Sequence, residues 1–213
     1  MSQFILGDCL EHMKQMPDNA FELAIVDPPY GIGRFGSRVE LASSKNAKIN
    51  EWDIAPTQAY FDELFRVSGS QIIWGANNFC LPPTEYFIVW DKQQTVDNFA
   101  SAEYAWTNCK VPAKVFRYSI HKAMSDRKAE GGKIHPTQKP VALYKWLLTN
   151  YAKQGDKILD THVGSASSLI ACHQMGFEYL GFEIDEEYYN KAVERLETVK
   201  SQASIFDMGV SHF

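Results

Sequence analysis

The residues whose types and spacing best suit chemistry are Asp27-Pro28-Pro29-Tyr30. They follow the apolar run Phe21–Val26, which predicts a short buried strand, and they precede Gly31. The two prolines fix φ and remove two backbone donors, so the turn is stiff and presents carbonyl oxygens. A carboxylate, a proline carbonyl and an aromatic ring would therefore meet at the carboxyl end of a strand, where open α/β sheets bind ligands.

This pair of acceptors suits an amine as the reacting group. The exocyclic amine of adenine is a poor nucleophile because its lone pair is delocalised into the ring. Two acceptors that hold both N–H groups would free the lone pair for attack and stabilise the positive charge that develops on nitrogen. Tyr30 would stack on the base. The alternative is an ordinary Pro-Pro turn capped by a surface Asp, so the choice depends on the rest of the chain.

The composition is that of one globular domain. The chain has 213 residues, 45% hydrophobic and 13% aromatic, enough for a sizeable core. Its four cysteines include no Cys-x-x-Cys pair, which is typical of reduced thiols in a cytosol. No basic and apolar leader is visible, and no apolar run approaches the ~20 residues of a membrane span, so we expect no signal peptide and no membrane association. No residues have the spacing of metal ligands, so we expect no metal.

The net charge of −5 is unevenly distributed. Residues 107–139 contain eight Lys or Arg and two Asp or Glu, a formal +6, so the other residues carry −11. A basic segment on an acidic body suits phosphate binding. A solvated loop whose charges serve solubility explains the same pattern, and charge alone does not separate the two interpretations.

The predicted elements bring further polar residues to the same edge of the sheet. A strand at residues 4–6 and a helix with Leu10, Met13 and Met16 precede the strand before Asp27, which predicts a parallel βαβ unit. Asp8, at the end of the first strand, would contact a cofactor or cap the helix that follows it. Residues 31–36 match G-x-G-x-x-G, but no helix pattern follows them, so we interpret residues 37–50 as a polar loop rather than a dinucleotide site.

The second half of the chain predicts a nucleoside-binding arrangement. His135–Pro140 opens a helix with Thr137 as its N-cap. A strand at residues 157–160 leads through the small residues 161–168 into a helix, whose N-terminus attracts an anion. Glu183 ends the next strand, where an acid accepts hydrogen bonds from ribose hydroxyls. Other expected elements are helices at 57–67 and 186–199, strands at 71–74 and 86–90, and β pieces near 102–106 and 113–118.

Together these motifs resemble those of the DNA amino-methyltransferases that use S-adenosylmethionine. The resemblance rests on Gly7-Asp8, Asp27 to Tyr30, His135 to Pro140, Asp160 to Ser168 and Gly181 to Asp185. The catalytic motif precedes the cofactor motif, which is the order of the β class. The resemblance implies a single α/β domain over residues 1–213, with a Rossmann-like methyltransferase fold. Its sheet would have seven mostly parallel strands and helices on both faces.

The same resemblance implies residue roles. Asp27, Pro28, Pro29 and Tyr30 would hold the flipped base. The residues expected at the cofactor S-adenosyl-L-methionine are Asp8 near its adenine, Glu183 at the ribose, Asp160, Gly164 and Ser165 along the methionine part, Thr137 and Lys139 closing the pocket, and Asp27 at the reacting end. Residues 93–133 would form a short target-recognition insertion. Double-stranded DNA is the expected partner, and a homodimer is left open.

Besides Ser167 and Ser168 in place of the two Thr residues, the chain departs from the family pattern Asp-Pro-Phe-x-Gly-Ser-Gly-Thr-Thr at three places. Thr161 and His162 replace Pro and Phe, and Ala166 replaces a Gly. Ala166 fits if its φ stays negative. We expect a divergent but working pocket; the alternative is a non-catalytic DNA-binding protein with a degraded one.

An Asp at the first position of the catalytic motif favours adenine N6 as the target. The cytosine N4 amine, RNA and a protein glutamine are alternatives. A recognition segment of about 40 residues suggests a short or relaxed target site.

Overall fold

The computed structural model describes residues 2–32, 53–95, 97, 100–130 and 132–209. The loop predicted for residues 37–50 lies outside these ranges. The strands are β1 (Gln3–Leu6), β2 (Phe21–Val26), β3 (Ser68–Trp74), β4 (Phe87–Asp91), β5 (Ala102–Thr107), β6 (Lys114–Arg117), β7 (Lys157–Asp160) and β8 (Glu178–Glu183). The α-helices are α1 (Cys9–Met13), α2 (Gln58–Val67), α3 (Ile120–Ala129), α4 (Val141–Tyr151), α5 (Ser167–Met175) and α6 (Glu186–Gly209), with a 3₁₀ turn at Ala76–Asn78.

All eight strands belong to one sheet in the order β1-β8-β7-β2-β3-β5-β4-β6. Strand β5 is antiparallel to both of its neighbours, and the other pairs are parallel. The predicted α/β class and mostly parallel sheet are confirmed, with eight strands rather than seven. Strands β5 and β6 lie within residues 93–133, so part of that segment belongs to the sheet.

Helices cover both faces of the sheet because alternate strand residues point to opposite sides. In β2, Leu23 and Ile25 pack into the core beneath α4, α5 and α6. Ala24 and Val26 pack into a second core, which contains residues of α1 and α2. From Leu23 onward the strand is buried on both faces, as the apolar residues Leu23–Val26 predict.

The strand order determines the order of the polar residues at the carboxyl edge. Strands β1, β8, β7 and β2 are consecutive neighbours, and their ends carry Asp8, Glu183, Asp160 and Asp27. Neighbouring strands lie about 4.8 Å apart, so Asp8 and Asp27 are separated by roughly 14 Å along this edge. The βαβ unit predicted from the sequence therefore brings both residues to one edge.

Three helices differ from the predictions. Helix α4 begins at Val141 with Pro140 as its N-cap, so Thr137 does not cap it. The extended conformation of Pro140 leaves its carbonyl to accept from the Leu143 N–H at 3.1 Å. Helix α3 was not predicted, because its sequence IHKAMSDRKA lacks a continuous apolar stripe. Helix α6 continues to Gly209, ten residues beyond the predicted end.

Replacement of Gly181 in β8 by Ala is expected to destabilise the fold. A Cβ there would lie 2.7 Å from Val163 Cγ2 and 2.9 Å from Leu169 Cδ1, and both neighbours are buried. We expect Gly181→Ala to lower the free energy of unfolding by about 1–3 kcal/mol, as overpacked cores do. Gly69→Ala in β3 is the control, because its Cβ would meet nothing closer than 3.6 Å. Urea unfolding measures both, and equal losses would contradict the packing argument.

Candidate active site

A cavity of about 510 Å³ opens at the carboxyl edge of the sheet. This volume suits a small organic ligand. The sequence-predicted site residues in its wall are Asp8, Asp27, Pro28, Pro29, Tyr30, Thr137, Lys139, Gly164, Ser165 and Glu183. Asp160 is the predicted residue that does not line it. The topology therefore gathers residues that lie up to 175 positions apart in the chain.

At one end of the cavity, Asp27 takes part in a buried charge cluster. Its Oδ1 accepts from the Tyr30 hydroxyl at 2.8 Å, and its Oδ2 is paired with the Lys139 ammonium. Glu103 Oε2 lies 3.2 Å from Lys139 Nζ, and Lys92 Nζ lies 2.5 Å from Glu103 Oε1. Two carboxylates and two ammonium groups thus share one site, and the Lys139 side chain is 3% exposed.

The charges of the cluster stabilise one another in their ionised forms. Burial opposes the charge on Lys139, but Asp27 and Glu103 raise its pKa well above the ordinary value. Burial likewise opposes the charge on Glu103, whereas Lys139 and Lys92 lower its pKa overall. The sequence did not indicate a role for Glu103, because a single acidic residue within a strand forms no recognisable motif with its neighbours. Lys92, which directly follows β4, also joins the cluster, whereas its neighbour Asp91 lies 3.7 Å from Arg117 Nε.

Tyr30 packs against the backbone beyond β3. A Cβ on Gly75 would lie 2.1 Å from Tyr30 Cε1, so the ring occupies the space that any larger residue at position 75 would need. The φ of Gly75 is +67°, which also favours glycine. Burial, followed by the charge of Asp27, raises the pKa of the Tyr30 hydroxyl, which keeps it protonated as a donor to Asp27. The stacking of Tyr30 on a base remains a prediction.

Asp160 lies behind the cavity wall and shapes the loop in front of it. Its Oδ1 accepts from the His162 N–H at 3.0 Å, and the Ser168 hydroxyl donates to its other oxygen. Burial is the main cause that raises the pKa of Asp160 to about 7, and the charges of Asp27 and Glu183 add to it. Its expected contact with the methionine part of a cofactor stays a prediction, since the carboxylate already serves the β7–α5 loop (residues 161–166).

Ala166 does not have the negative φ on which its tolerance in place of glycine depends. Its φ is +61°, in the left-handed region, and it forms the N-cap of α5. This conformation costs an L-residue roughly 1–2 kcal/mol. Arg195 of α6 supports the loop, because its guanidinium donates to the Ser165 carbonyl at 2.6 Å and to the Ser167 hydroxyl at 3.0 Å. Nothing in the sequence near Arg195 indicated this role.

Glu183 and Asp8 lie toward the other end of the cavity. Glu183 Oε2 accepts from the Gly164 N–H at 2.8 Å, and Oε1 accepts from the N–H groups of Ile184 and Asp185 at 3.0 Å each. Three backbone donors therefore fix this carboxylate. Asp8 Oδ1 accepts from the Leu10 N–H at 2.8 Å. Asp8 thus caps α1 and also lines the cavity, so its two sequence interpretations are compatible.

Thr137 lines the cavity through the loop that leads to α4. Its Oγ1 lies 3.0 Å from His135 Nδ1. Burial, followed by the charges of Lys139 and Lys133, lowers the pKa of His135 to about 4, so its ring is neutral at pH 7. The ring contacts Tyr188 of α6 edge-on, with centroids 4.4 Å apart. Thr137 is therefore held by the His135 ring, which itself packs against α6.

The basic segment of residues 107–139 divides into buried and exposed parts. Lys139 belongs to the buried cluster, whereas the side chains of Arg117 on β6 and Lys122 on α3 are 67% and 62% exposed. Lys122 lies 3.6 Å from Asp126. These two exposed cations therefore lie at the β6 end of the sheet and on the helix that follows it.

The sequence matches a family model described as DNA methylase (N6_N4_Mtase) over residues 82–194. The Type II methyltransferase M.HinfI of Haemophilus influenzae is 23% identical over 94% of this chain and 69% of its own length. Putative methylase YubD of Escherichia coli is 28% identical over 94% of this chain and 92% of its own length.

Two solved structures show the same fold. PvuII DNA methyltransferase (cytosine-N4-specific) has a TM-score of 0.61 at 14% identity, covering 94% of this chain and 90% of that one. The putative DNA modification methylase TTHA0409 of Thermus thermophilus, complexed with S-adenosyl-L-methionine, has a TM-score of 0.58 at 18% identity, covering 93% and 96%. In the described part of this chain, no helix combines the length and apolarity needed to cross a membrane.

Removal of the Lys139 ammonium is expected to destabilise the protein strongly. Lys139→Met leaves two carboxylates near one another without the buried cation between them, which typically costs about 3–5 kcal/mol. Lys191→Met removes an exposed pair with Glu187 and is expected to cost about 0.5 kcal/mol or less. Chemical denaturation at pH 7.5 compares the two variants. Similar small losses would show that the cluster does not hold this part of the fold.

Asp160 is expected to make stability depend on pH. Its pKa is about 7 in the folded protein and 3.8 in an unperturbed carboxyl, so its favourable contribution is complete below pH 4 and is lost as the pH rises through 7. Asp160→Asn lacks this titration. The free energy of unfolding of the variant minus that of the wild type should therefore rise by about 1 kcal/mol or more between pH 4 and pH 8. A constant difference across this range would contradict the assignment.

Proposed function

The chain belongs to the N6/N4 DNA methylase family, and on that premise we propose that it transfers a methyl group from S-adenosyl-L-methionine to the N6 amine of adenine in DNA. The observation that carries this proposal is the position of Asp27. Its carboxylate lies in the wall of a ligand-sized cavity, beside two prolines and Tyr30.

The residues present fit the methyl donor. Glu183 is fixed by three backbone N–H groups and offers carboxylate oxygens to a ribose diol. The loop before α5 exposes Gly164 and Ser165 to the cavity, and the helix N-terminus favours the carboxylate of an amino acid. Asp8 would accept from the purine amine. When bound, S-adenosyl-L-methionine supplies an electrophilic methyl carbon on a sulfonium.

Asp27 would hold the amine that is to be methylated. Its Oδ2 is now paired with Lys139, which also lies within 3.2 Å of Glu103. Glu103 gives the ammonium a second carboxylate, so Asp27 could accept the substrate N–H groups while Lys139 stays paired. The Pro28 carbonyl would be the second acceptor. Both oxygens would stabilise the positive charge that develops on nitrogen.

Transfer would be direct, without a covalent bond between enzyme and base. Cys9 is the cysteine that lines the cavity, and burial raises the pKa of its thiol to about 12. Because the thiolate and not the thiol is nucleophilic, Cys9 is unsuited to attack a pyrimidine ring. Methylation of an exocyclic amine, which needs no nucleophilic residue, agrees better with these groups.

The base would have to leave the duplex, because its amine cannot be reached inside the stack. Exposed Arg117 and Lys122 suit contacts with phosphates, whose neutralisation by Lys and Arg supplies much of DNA affinity. We assign target recognition to residues 93–133, which include both cations. A homodimer stays a prediction.

The cytosine N4 amine is the second candidate substrate. The PvuII methyltransferase with the same fold is named as cytosine-N4-specific. The family tendency of an Asp at the position of Asp27 favours adenine, and we therefore propose adenine first.

Mass spectrometry of DNA nucleosides tests this proposal. The protein is incubated with S-adenosyl-L-methionine and mixed-sequence duplex DNA, which is then digested. We expect N6-methyladenine, and a loss of about 100-fold or more in Asp27→Asn, as for other groups that stabilise transition-state charge. Asp62→Asn, on the exposed face of α2, is the matched control and should keep full activity.

N4-methylcytosine in place of methyladenine would correct the base and keep the mechanism. Equal activity of Asp27→Asn and the wild type would contradict the role of Asp27. The absence of product on any DNA, with the cofactor bound, would exclude DNA as the substrate.

A further inference from the structure

His162 places an imidazole in the cavity wall where the related motif has phenylalanine. The residue lines the cavity and is half-buried. Its Nδ1 lies 2.9 Å from Thr161 Oγ1, and Thr161 Oγ1 lies 2.6 Å from the Tyr60 hydroxyl. In the described part of the chain, Nε2 has no protein partner. One ring nitrogen is therefore engaged by the protein and the other is left for a ligand.

Tyr60, Thr161 and His162 form a hydrogen-bonded series, and the protons available in that series fix the tautomer of His162. Tyr60 is buried, and within the described residues its hydroxyl has Thr161 as its hydrogen-bond partner. If Thr161 donated to Tyr60, the phenolic proton would be buried without an acceptor, which costs about 1–3 kcal/mol. Tyr60 therefore donates to Thr161, and the Thr161 proton goes to His162 Nδ1. Nδ1 is then an acceptor, so the neutral ring carries its proton on Nε2.

The ring is neutral under ordinary conditions. Burial lowers the pKa of His162 to about 4, and the charge of Asp8 opposes this only in part. At pH 7 the imidazole thus has one N–H group, on Nε2. Asp8 lines the same cavity, and one of its oxygens is engaged by the Leu10 N–H. The cavity wall here combines a fixed N–H donor with a carboxylate oxygen that has no hydrogen-bond partner among the residues that the structure describes.

The purine of the methyl donor belongs at this end of the cavity. Asp27, the reacting end, is three strands away from Asp8. The carboxylate of the amino-acid part would be repelled by Asp8 and Glu183 and is favoured instead at the N-terminus of α5. By elimination, the nucleoside is the part of the donor that would lie beside Asp8 and Glu183. Adenine offers an N–H donor on its amine next to ring-nitrogen acceptors.

We propose that His162 is a specificity-determining residue that donates a hydrogen bond from Nε2 to a ring nitrogen of the cofactor adenine, while Asp8 accepts from the adenine amine. The inference rests on the proposed function, because it takes the adenine nucleoside as the ligand. The pair is complementary to the amine and the adjacent ring nitrogen together. The substitution of His for Phe thus replaces a purely apolar contact by a polar one, and Thr161 and Tyr60 are positioning residues for that contact.

Calorimetric binding of two probes tests the inference without turnover. S-adenosylhomocysteine contains both the nucleoside and the amino-acid part of the donor without its transferred methyl group, and 5′-methylthioadenosine contains the nucleoside without the amino-acid part. We expect His162→Phe to weaken both by about fivefold to tenfold, the range of one neutral hydrogen bond. His162→Gln should bind within about twofold of the wild type, because its amide N–H group reaches the place of Nε2. Thermal unfolding of the ligand-free variants checks that each is folded.

Nitrogen NMR of ¹⁵N-histidine-labelled protein gives a second readout. The ligand-free wild type should show His162 unprotonated at Nδ1 and protonated at Nε2, and the Nε2 resonance should shift when 5′-methylthioadenosine binds. The opposite tautomer would overturn the inference.

The calorimetric outcomes separate this inference from the proposed function. If the wild type binds both probes and His162→Phe binds them equally well or better, the inference fails and the proposed function stands. If the loss is confined to S-adenosylhomocysteine, His162 acts on the amino-acid part and the inference is wrong. If the wild type binds neither probe at millimolar concentration, the cofactor assignment itself fails.

Discussion

The position of Asp27 depends on one buried ammonium group. Lys139 lies between the carboxylates of Asp27 and Glu103, and its side chain is 3% exposed. A buried charge is costly unless it is paired, so these three residues constrain one another. Lys139 precedes α4, Glu103 belongs to β5 and Asp27 follows β2. Segments that are far apart in sequence are thereby fixed at one end of the cavity.

The loop between β7 and α5 is held in part by groups that lie outside the cavity. The Arg195 guanidinium donates to the Ser165 carbonyl, and the Asp160 carboxyl accepts from the His162 N–H. These contacts over-determine the loop, which explains how it keeps Ala166 at a φ of +61°. Strained backbone of this kind persists only where its surroundings fix it. The loop therefore presents Gly164 and Ser165 to the cavity in a defined geometry, even though the family glycine is absent.

The sequence allowed the sheet edge to be predicted, because strand ends and turns are local features. The buried run before Asp27, the small residues after Asp160 and the acid at Glu183 each indicated a strand end. The rules for parallel sheets then brought them together. Long-range pairings were not visible in the same way. Glu103 and Arg195 are single charged residues whose partners lie 36 and 30 positions away, and no local pattern specifies such a distance.

Two other features depended on tertiary structure. A β piece near residues 113–118 was predicted, but its place as the edge strand β6 of the same sheet was not, because half of the residues of β6 face solvent and its apolar pattern is weak. The positive φ of Ala166 opposes the intrinsic preference of alanine, so a propensity argument favours the wrong sign there. Sequence reasoning thus failed where surrounding contacts overrule a local preference.

We propose that the cavity binds the methyl donor in one direction, with its purine beside Asp8 and its sulfur beside Asp27. A crystal structure of the protein with S-adenosylhomocysteine tests this orientation. We expect adenine against Asp8 and His162, the ribose hydroxyls on Glu183, and the sulfur facing Asp27. A ligand bound with its amino-acid part beside Asp8, or bound outside this cavity, would contradict it.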